Sequence, residues 1–131
     1  MAEYGRVSAY TVAQAAADLR TKEHHIMRFV SATTTDIASN AAAAFAVGAI
    51  GVLINKPNSG QSASIGCNGE SKVVVGAAVT AGRALATNGS GRAVHAGSGD
   101  LVIGRALEAG GADGEVIRAM IFPPFRLSGT N

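Results

Sequence analysis

Residues 62–75 read SASIGCNGESKVVV, residues 83–96 read RALATNGSGRAVHA, and residues 101–122 read LVIGRALEAGGADGEVIRAMIF. All three have the same construction: two short runs that suit a strand, joined by a Gly-rich turn. In the first, Asn68-Gly69 stands between residues 62–67 and 70–75. A type I′ turn needs positive φ at both central positions, which Asn and Gly tolerate best, so the spacing predicts a tight hairpin there. In the second, Asn88-Gly89-Ser90-Gly91 joins residues 83–87 to 92–96. In the third, residues 109–114, ending in Asp113-Gly114, join 101–108 to 115–122. Pro123-Pro124 should stop the last strand, because proline cannot donate to a ladder. Repeated short strands of this kind predict an all-β sandwich or small barrel of antiparallel hairpins. No long helical period interrupts the region, which argues against a parallel α/β sheet.

Upstream, residues 47–55 (VGAIGVLIN) form an apolar run closed by the turn residues Lys56-Pro57-Asn58-Ser59-Gly60. Residues 25–32 (HIMRFVSA) read as a strand and residues 33–40 as a polar connection. Residues 11–20 (TVAQAAADLR) are Ala-rich and predict a short helix capped by Thr11. The expected organisation is an extended or partly helical arm over residues 1–24, a β-domain over residues 25–125 and a tail over residues 126–131. The arm is expected to pack on a neighbour rather than on its own core. Residues 1–20 lack the charged-then-apolar pattern of a secretory signal. The longest apolar stretch, residues 41–54, is too short to cross a membrane as a helix.

The chain has 131 residues, enough for one core. It is 47% hydrophobic, but much of that is Ala and Val, with 17 Gly, four Phe, two Tyr and no Trp. Such a core buries little area per residue, and oligomerisation is a usual remedy. Charged residues are 15% of the chain, below the roughly 25% of a typical soluble domain. The net charge is +2, with no run of Lys or Arg and no aromatic residues interleaved with basic ones. Nucleic-acid binding therefore has no footprint, and the low charge suits a surface covered by other protein. The single cysteine, Cys67, excludes an internal disulfide and reads as a buried structural thiol.

A search for chemistry finds little. Glu23, His24 and His25 are consecutive, and neighbours on a strand point to opposite faces, so no metal site is expected from them or from His95. Gly97-Ser98-Gly99-Asp100 lacks the Lys and the following helix of a phosphate-binding loop and reads as a turn. No Gly-x-Ser-x-Gly elbow occurs. The carboxylates are Glu3, Asp18, Glu23, Asp36, Glu70, Asp100, Glu108, Asp113 and Glu115, and the last four fall at turns or hairpin ends. The expectation is no catalytic residue, no cofactor and no metal. Asn88-Gly89-Ser90 matches a glycosylation acceptor but reads as a turn. An alternative is a carrier or small-molecule-binding β-domain, because residues 75–86 (VGAAVTAGRALA) resemble a phrase of biotinyl and lipoyl carriers. Those carriers need a Lys at a hairpin tip; the tips here have none, and Lys72 falls inside a strand.

Residues 50–123 resemble a widespread family of small phage capsid decoration, or cement, proteins. The matching phrases are residues 50–57 (IGVLINKP), Gly60, residues 72–82 (KVVVGAAVTAG), 91–94 (GRAV), 102–109 (VIGRALEA) and 114–117 (GEVI). Met27-Arg28-Phe29-Val30 resembles the family's opening strand. The resemblance implies a β-barrel or tulip-like core, a homotrimer, and attachment to the major capsid protein on the outside of an icosahedral head. It implies a structural virion component, made in the host cytoplasm, with no active site and no nucleic-acid or membrane partner. Relatives often have Gly-Asp where this chain has Gly82-Arg83, so any contact made by that acid is not carried over.

Overall fold

The fold is seen in a computed structural model of the chain, which describes residues 6–38 and 49–127. Nine strands occur among these residues: β1 (Arg6–Ala15), β2 (Ile26–Phe29), β3 (Thr34–Ile37), β4 (Ala49–Leu53), β5 (Ser62–Val74), β6 (Ala84–Thr87), β7 (Ala93–His95), β8 (Leu101–Ala106) and β9 (Val116–Arg126). No helix is present among them.

The first five strands form a closed ring. Their order is β1-β3-β2-β4-β5, and β5 pairs back with β1. The β1–β3 pair is parallel and the other four are antiparallel. A ring this small has a narrow interior, and a few aliphatic side chains fill it. Ala15, Leu19, Met27, Leu53, Ala63 and Ile65 are buried there, with Ile37, Ile50 and Cys67 packed against them. Burial pushes the Cys67 thiol above its ordinary value, as befits a structural cysteine.

The second half of β5 leaves the ring and carries a sheet in the order β5-β9-β8-β6-β7. One face of this sheet contributes Val73, Val75, Leu85, Ile103, Ile117 and Ile121 to the largest core cluster. Ile26 and Val52 of the ring belong to the same cluster, so the two parts share one core. Five alanines also line it (Ala38, Ala49, Ala93, Ala106 and Ala119), which bears out the thin Ala/Val packing expected from composition. The β6–β7 and β8–β9 hairpins are those expected from residues 83–96 and 101–122.

Three expectations need correction. Asn68-Gly69 is not a hairpin tip: β5 runs straight through it as one 13-residue strand. Gly69 has φ +115° while Asn68 is not in the positive-φ region, so a type I′ turn is absent. Gly69 instead pairs with Val7 of β1 on one edge and Ile121 of β9 on the other, beside a bulge in the β1 register. It is the point where β5 passes from the ring to the second sheet.

Residues 11–20 are not a helix. Residues 11–15 continue β1, and their alternation is inverted: Ala13 and Ala15 point inward while Val12 is exposed. This segment bonds to the loop that precedes β5. Ala15 N donates to Gln61 O at 2.8 Å, and buried Leu19 donates to Pro57 O at 3.0 Å.

Pro123-Pro124 do not end β9, which continues to Arg126. They sit at a register shift, between the pairs Gly104↔Ile121 and Val102↔Phe125. Pairing with β5 has already ended at Ile121, so neither edge needs their missing N–H groups. The apolar stretch 41–54 is described only from Ala49 onward, and its earlier part lies outside the described residues, as do Glu3 and the tail beyond Leu127.

Candidate contact surface

Directly opposite residues of an antiparallel pair lie on one face of the sheet. Register therefore assembles the outer face of the second sheet from four strands: Glu70 opposite Met120, Met120 opposite Arg105, and Arg105 opposite Ala84. Lys72 stands opposite Arg118 and Val74 opposite Val116 on the same face. The inward residues of β9, Ile117, Ala119 and Ile121, fill the core, which commits Val116 and Met120 to solvent.

The floor of this face is small. Ala84, Ala86, Ala96 and Val102 form a shallow cluster with Phe122 and Leu127 packed over it. The Phe122 and Phe125 rings stack at 5.8 Å between centroids, a separation at which aromatic pairs attract. Phe125 remains 47% exposed, Val116 44% and Met120 40%. Exposed apolar side chains set among polar groups suit protein contacts, and aromatic, Met and Arg side chains are the types enriched in them. Between Val116 and Met120 the row is ionic: Arg118 Nη1 lies 2.8 Å from Glu70 Oε2, and its Nε 3.7 Å from Glu108 Oε2. The two carboxylates hold the guanidinium in place and push its pKa up.

A second apolar strip lies on the ring. Tyr10 and Val12 of β1 stand opposite Gly66 and Ser64 of β5. Those partners are too small to cover them, and both are more than half exposed. At the β2–β3 turn, Phe29 and Val30 are also exposed.

The residues considered for chemistry are scattered. His24 and His25 precede β2 rather than lying on it, and they do diverge: His24 faces Glu23 at 3.9 Å, while His25 faces Arg92 at 3.5 Å. His95 accepts from Thr80 N at 2.9 Å, away from both. The carboxylates are engaged locally. Asp100 accepts from Gly97 N, Glu115 from Gly111 N, and Asp113 pairs with Arg92 at 2.7 Å. Gly97-Ser98-Gly99-Asp100 is a turn, with Asp100 N donating to Gly97 O. Lys72 is within β5, not at the hairpin tip a carrier requires. Among the described residues no three His, Cys, Asp or Glu side chains gather as metal ligands, and no ligand-sized cavity opens. The outer-face row was missed by sequence reasoning. Its signal is the β9 alternation Val116, Arg118, Met120 against Ile117, Ala119, Ile121, which puts apolar residues on both faces.

A closed five-stranded ring continued into a second sheet defines a small all-β barrel domain. The profile of the phage cement protein family matches residues 21–121, and the chain belongs to that family. Its fold is similar to the base of the head fiber gp8.5 of bacteriophage phi29, with a TM-score of 0.66. That likeness covers 86% of this chain and 92% of the phi29 chain at 16% identity, and so is a likeness of fold. No curated protein matches the chain. Family membership gives the protein a structural, capsid-associated role in a phage.

Proposed function

We propose that the protein is a structural virion component that binds the outside of an icosahedral phage head and stabilises contacts between capsomers of the major capsid protein. It acts as a homotrimer and catalyses no reaction. In this reading residues 25–125 form the decoration unit, residues 1–24 add β1 to it, and residues 126–131 are a tail. The observation that carries the reading is the outer face of the second sheet, where Val116, Met120 and Phe125 are exposed on a rigid β-surface in a member of the cement family. Each such contact is modest, but repetition over equivalent positions of a shell multiplies it. The neighbours of this face also suit a structural role: the carboxylates around Arg118 form ion pairs rather than an acid–base pair.

The test is co-sedimentation with purified heads lacking the protein. Wild-type protein should pellet with heads and raise the temperature at which they release DNA. Met120→Glu with Phe125→Glu should lower head occupancy at least tenfold while leaving the circular dichroism and melting of the free protein unchanged. Unaltered binding by this folded variant would move the contact to another face; failure of the wild type to bind any head would overturn the reading. Light scattering should give a trimer mass, and a strict monomer free and on heads counts against self-association.

A further inference from the structure

The segment His24-His25-Ile26 ties the ring to the second sheet. His24 N donates to Leu53 O at 2.7 Å, and His24 O accepts from Val74 N at 3.0 Å, so one residue bonds to both β4 and β5. His25 O accepts from Leu53 N at 2.9 Å, and Ile26 N donates to Gly91 O at 2.7 Å, which reaches the β6–β7 turn. The next residue of that turn, Arg92, places its Nε 3.5 Å from His25 Nε2 and its Nη1 2.7 Å from Asp113 Oδ1 in the β8–β9 loop. Through three consecutive residues, four separate elements are connected.

The connection is made with strained and titratable parts. His24 has φ +69°, the only non-glycine in the positive-φ region among the described residues. Such a conformation persists only where surrounding bonds hold it. Its Nδ1 is buried with no hydrogen-bond partner among the described residues. His25 is 4% exposed. Its Nδ1 faces Glu23 O at 3.4 Å and its Nε2 faces a guanidinium N–H, which fits a neutral ring protonated on Nδ1. The charged groups around His25 are Lys22 and Arg92, with Asp113 behind Arg92; those around His24 are Glu23, Lys56 and Lys72.

We propose that residues 24–26 are an acid-sensitive latch between the ring and the second sheet, which opens when His24 and His25 take up protons. Protonation removes the acceptor at His25 Nε2 and sets a second cation against Arg92. At His24 it fixes an N–H on the buried Nδ1, which has no acceptor. Burial, the largest influence on each, holds both rings toward the neutral form while the latch is closed. By linkage, opening is then coupled to proton uptake, and two protons change the opening equilibrium by up to about 100-fold per pH unit. The physical consequence is an acid-driven loosening of the two halves at a fixed seam.

The test is amide hydrogen exchange on the full-length protein at pH 7.5, 6.5 and 5.0, corrected for the intrinsic pH dependence of exchange. The Ile26 and Val74 amides, which donate across the seam, should lose at least tenfold protection by pH 5.0. Ile54 in the ring and Leu107 in the sheet, which donate to Ser64 O and Arg118 O, should keep theirs. His25→Gln removes one titrating ring, and His24→Gly removes the other while suiting the backbone, so at least one folded variant is available. Either should flatten the pH dependence at Ile26 and Val74. Protection of the wild-type seam that is constant to pH 5.0, or an unchanged slope in both variants, overturns the latch. Because no phage head is involved, the outcome is independent of whether the protein decorates one.

Discussion

Gly51 offers a demanding test of the ring. It lies in β4 beside β5, and a Cβ built there would land on the carbonyl oxygen of Gly66, 3.0 Å from Ile65 Cγ2. The obstacle is backbone, so no side-chain rotamer relieves it. Neighbouring strands sit about 4.8 Å apart, and Gly51→Ala must widen that spacing by about 1 Å. The Ile54 N to Ser64 O bond, now 2.9 Å, would then leave hydrogen-bonding range, and the Val52↔Gly66 and Leu53↔Ile65 pairs would open with it. Two or three bonds at about 1 kcal/mol each, overlapping with about 1–3 kcal/mol of overpacking around buried Leu53 and Ile65, give a loss of about 2–4 kcal/mol. With a urea m-value of about 2 kcal/mol/M, the unfolding midpoint should fall by about 1–2 M. The control is Gly82→Ala, at φ +88° with nothing within 4 Å of the added Cβ. Only the conformational cost of about 1 kcal/mol applies there, so its midpoint should fall by about 0.5 M. Both are compared at one protein concentration, because self-association raises apparent stability. A Gly51→Ala midpoint no lower than that of Gly82→Ala would refute the close approach of β4 to β5.

Gly69→Val should cost about 1–3 kcal/mol, because φ +115° is open to glycine and strained for a β-branched residue; an unchanged midpoint in urea would show that β5 does not need this conformation. Deleting residues 2–20 should unfold the ring, since it removes β1 and buried Leu19 and bares the edges of β3 and β5; a truncated protein with native strand dichroism and melting would restore a separable arm. Stability should fall on acidification. Burial lowers the His24 and His25 pKa in the fold, so the unfolded chain, titrating near 6.5, binds protons first. The stabilisation is complete above about pH 6.5 and is lost as pH falls through the lower folded values, so melting should change little between pH 7.5 and 6.5 and drop by pH 5.5; an unchanged melting point at pH 5.5 contradicts it.

Much of the second sheet was legible in the chain. The β6–β7 and β8–β9 hairpins follow from Asn88-Gly89-Ser90-Gly91 and Asp113-Gly114, because turn chemistry is local and brings the flanking runs together. β1 was hidden for a physical reason. A narrow ring interior takes Ala13 and Ala15 inward and leaves Tyr10 and Val12 outside, so the usual apolar-in alternation is inverted and the alanines imitate a helix. The outer face of the second sheet was hidden too: Glu70, Met120, Arg105 and Ala84 lie far apart in the chain and meet only through three strand registers.

The sequence by itself determined the all-β class, the two C-terminal hairpins, the thin Ala/Val core and membership of a recognisable family. Tertiary structure alone decided what the ambiguous punctuation means. Asn68-Gly69 favours a turn locally, yet β1 on one edge and β9 on the other bond it into a continuous strand. Pro123-Pro124 would break a central strand, yet they fall where β9 has lost one neighbour and slips register against the other. At Asn68-Gly69 a local preference of about 1 kcal/mol is outweighed by several long-range ladder bonds; at Pro123-Pro124 the register leaves no ladder bond for the prolines to break. Those bonds depend on which strands become neighbours, which no window of sequence contains.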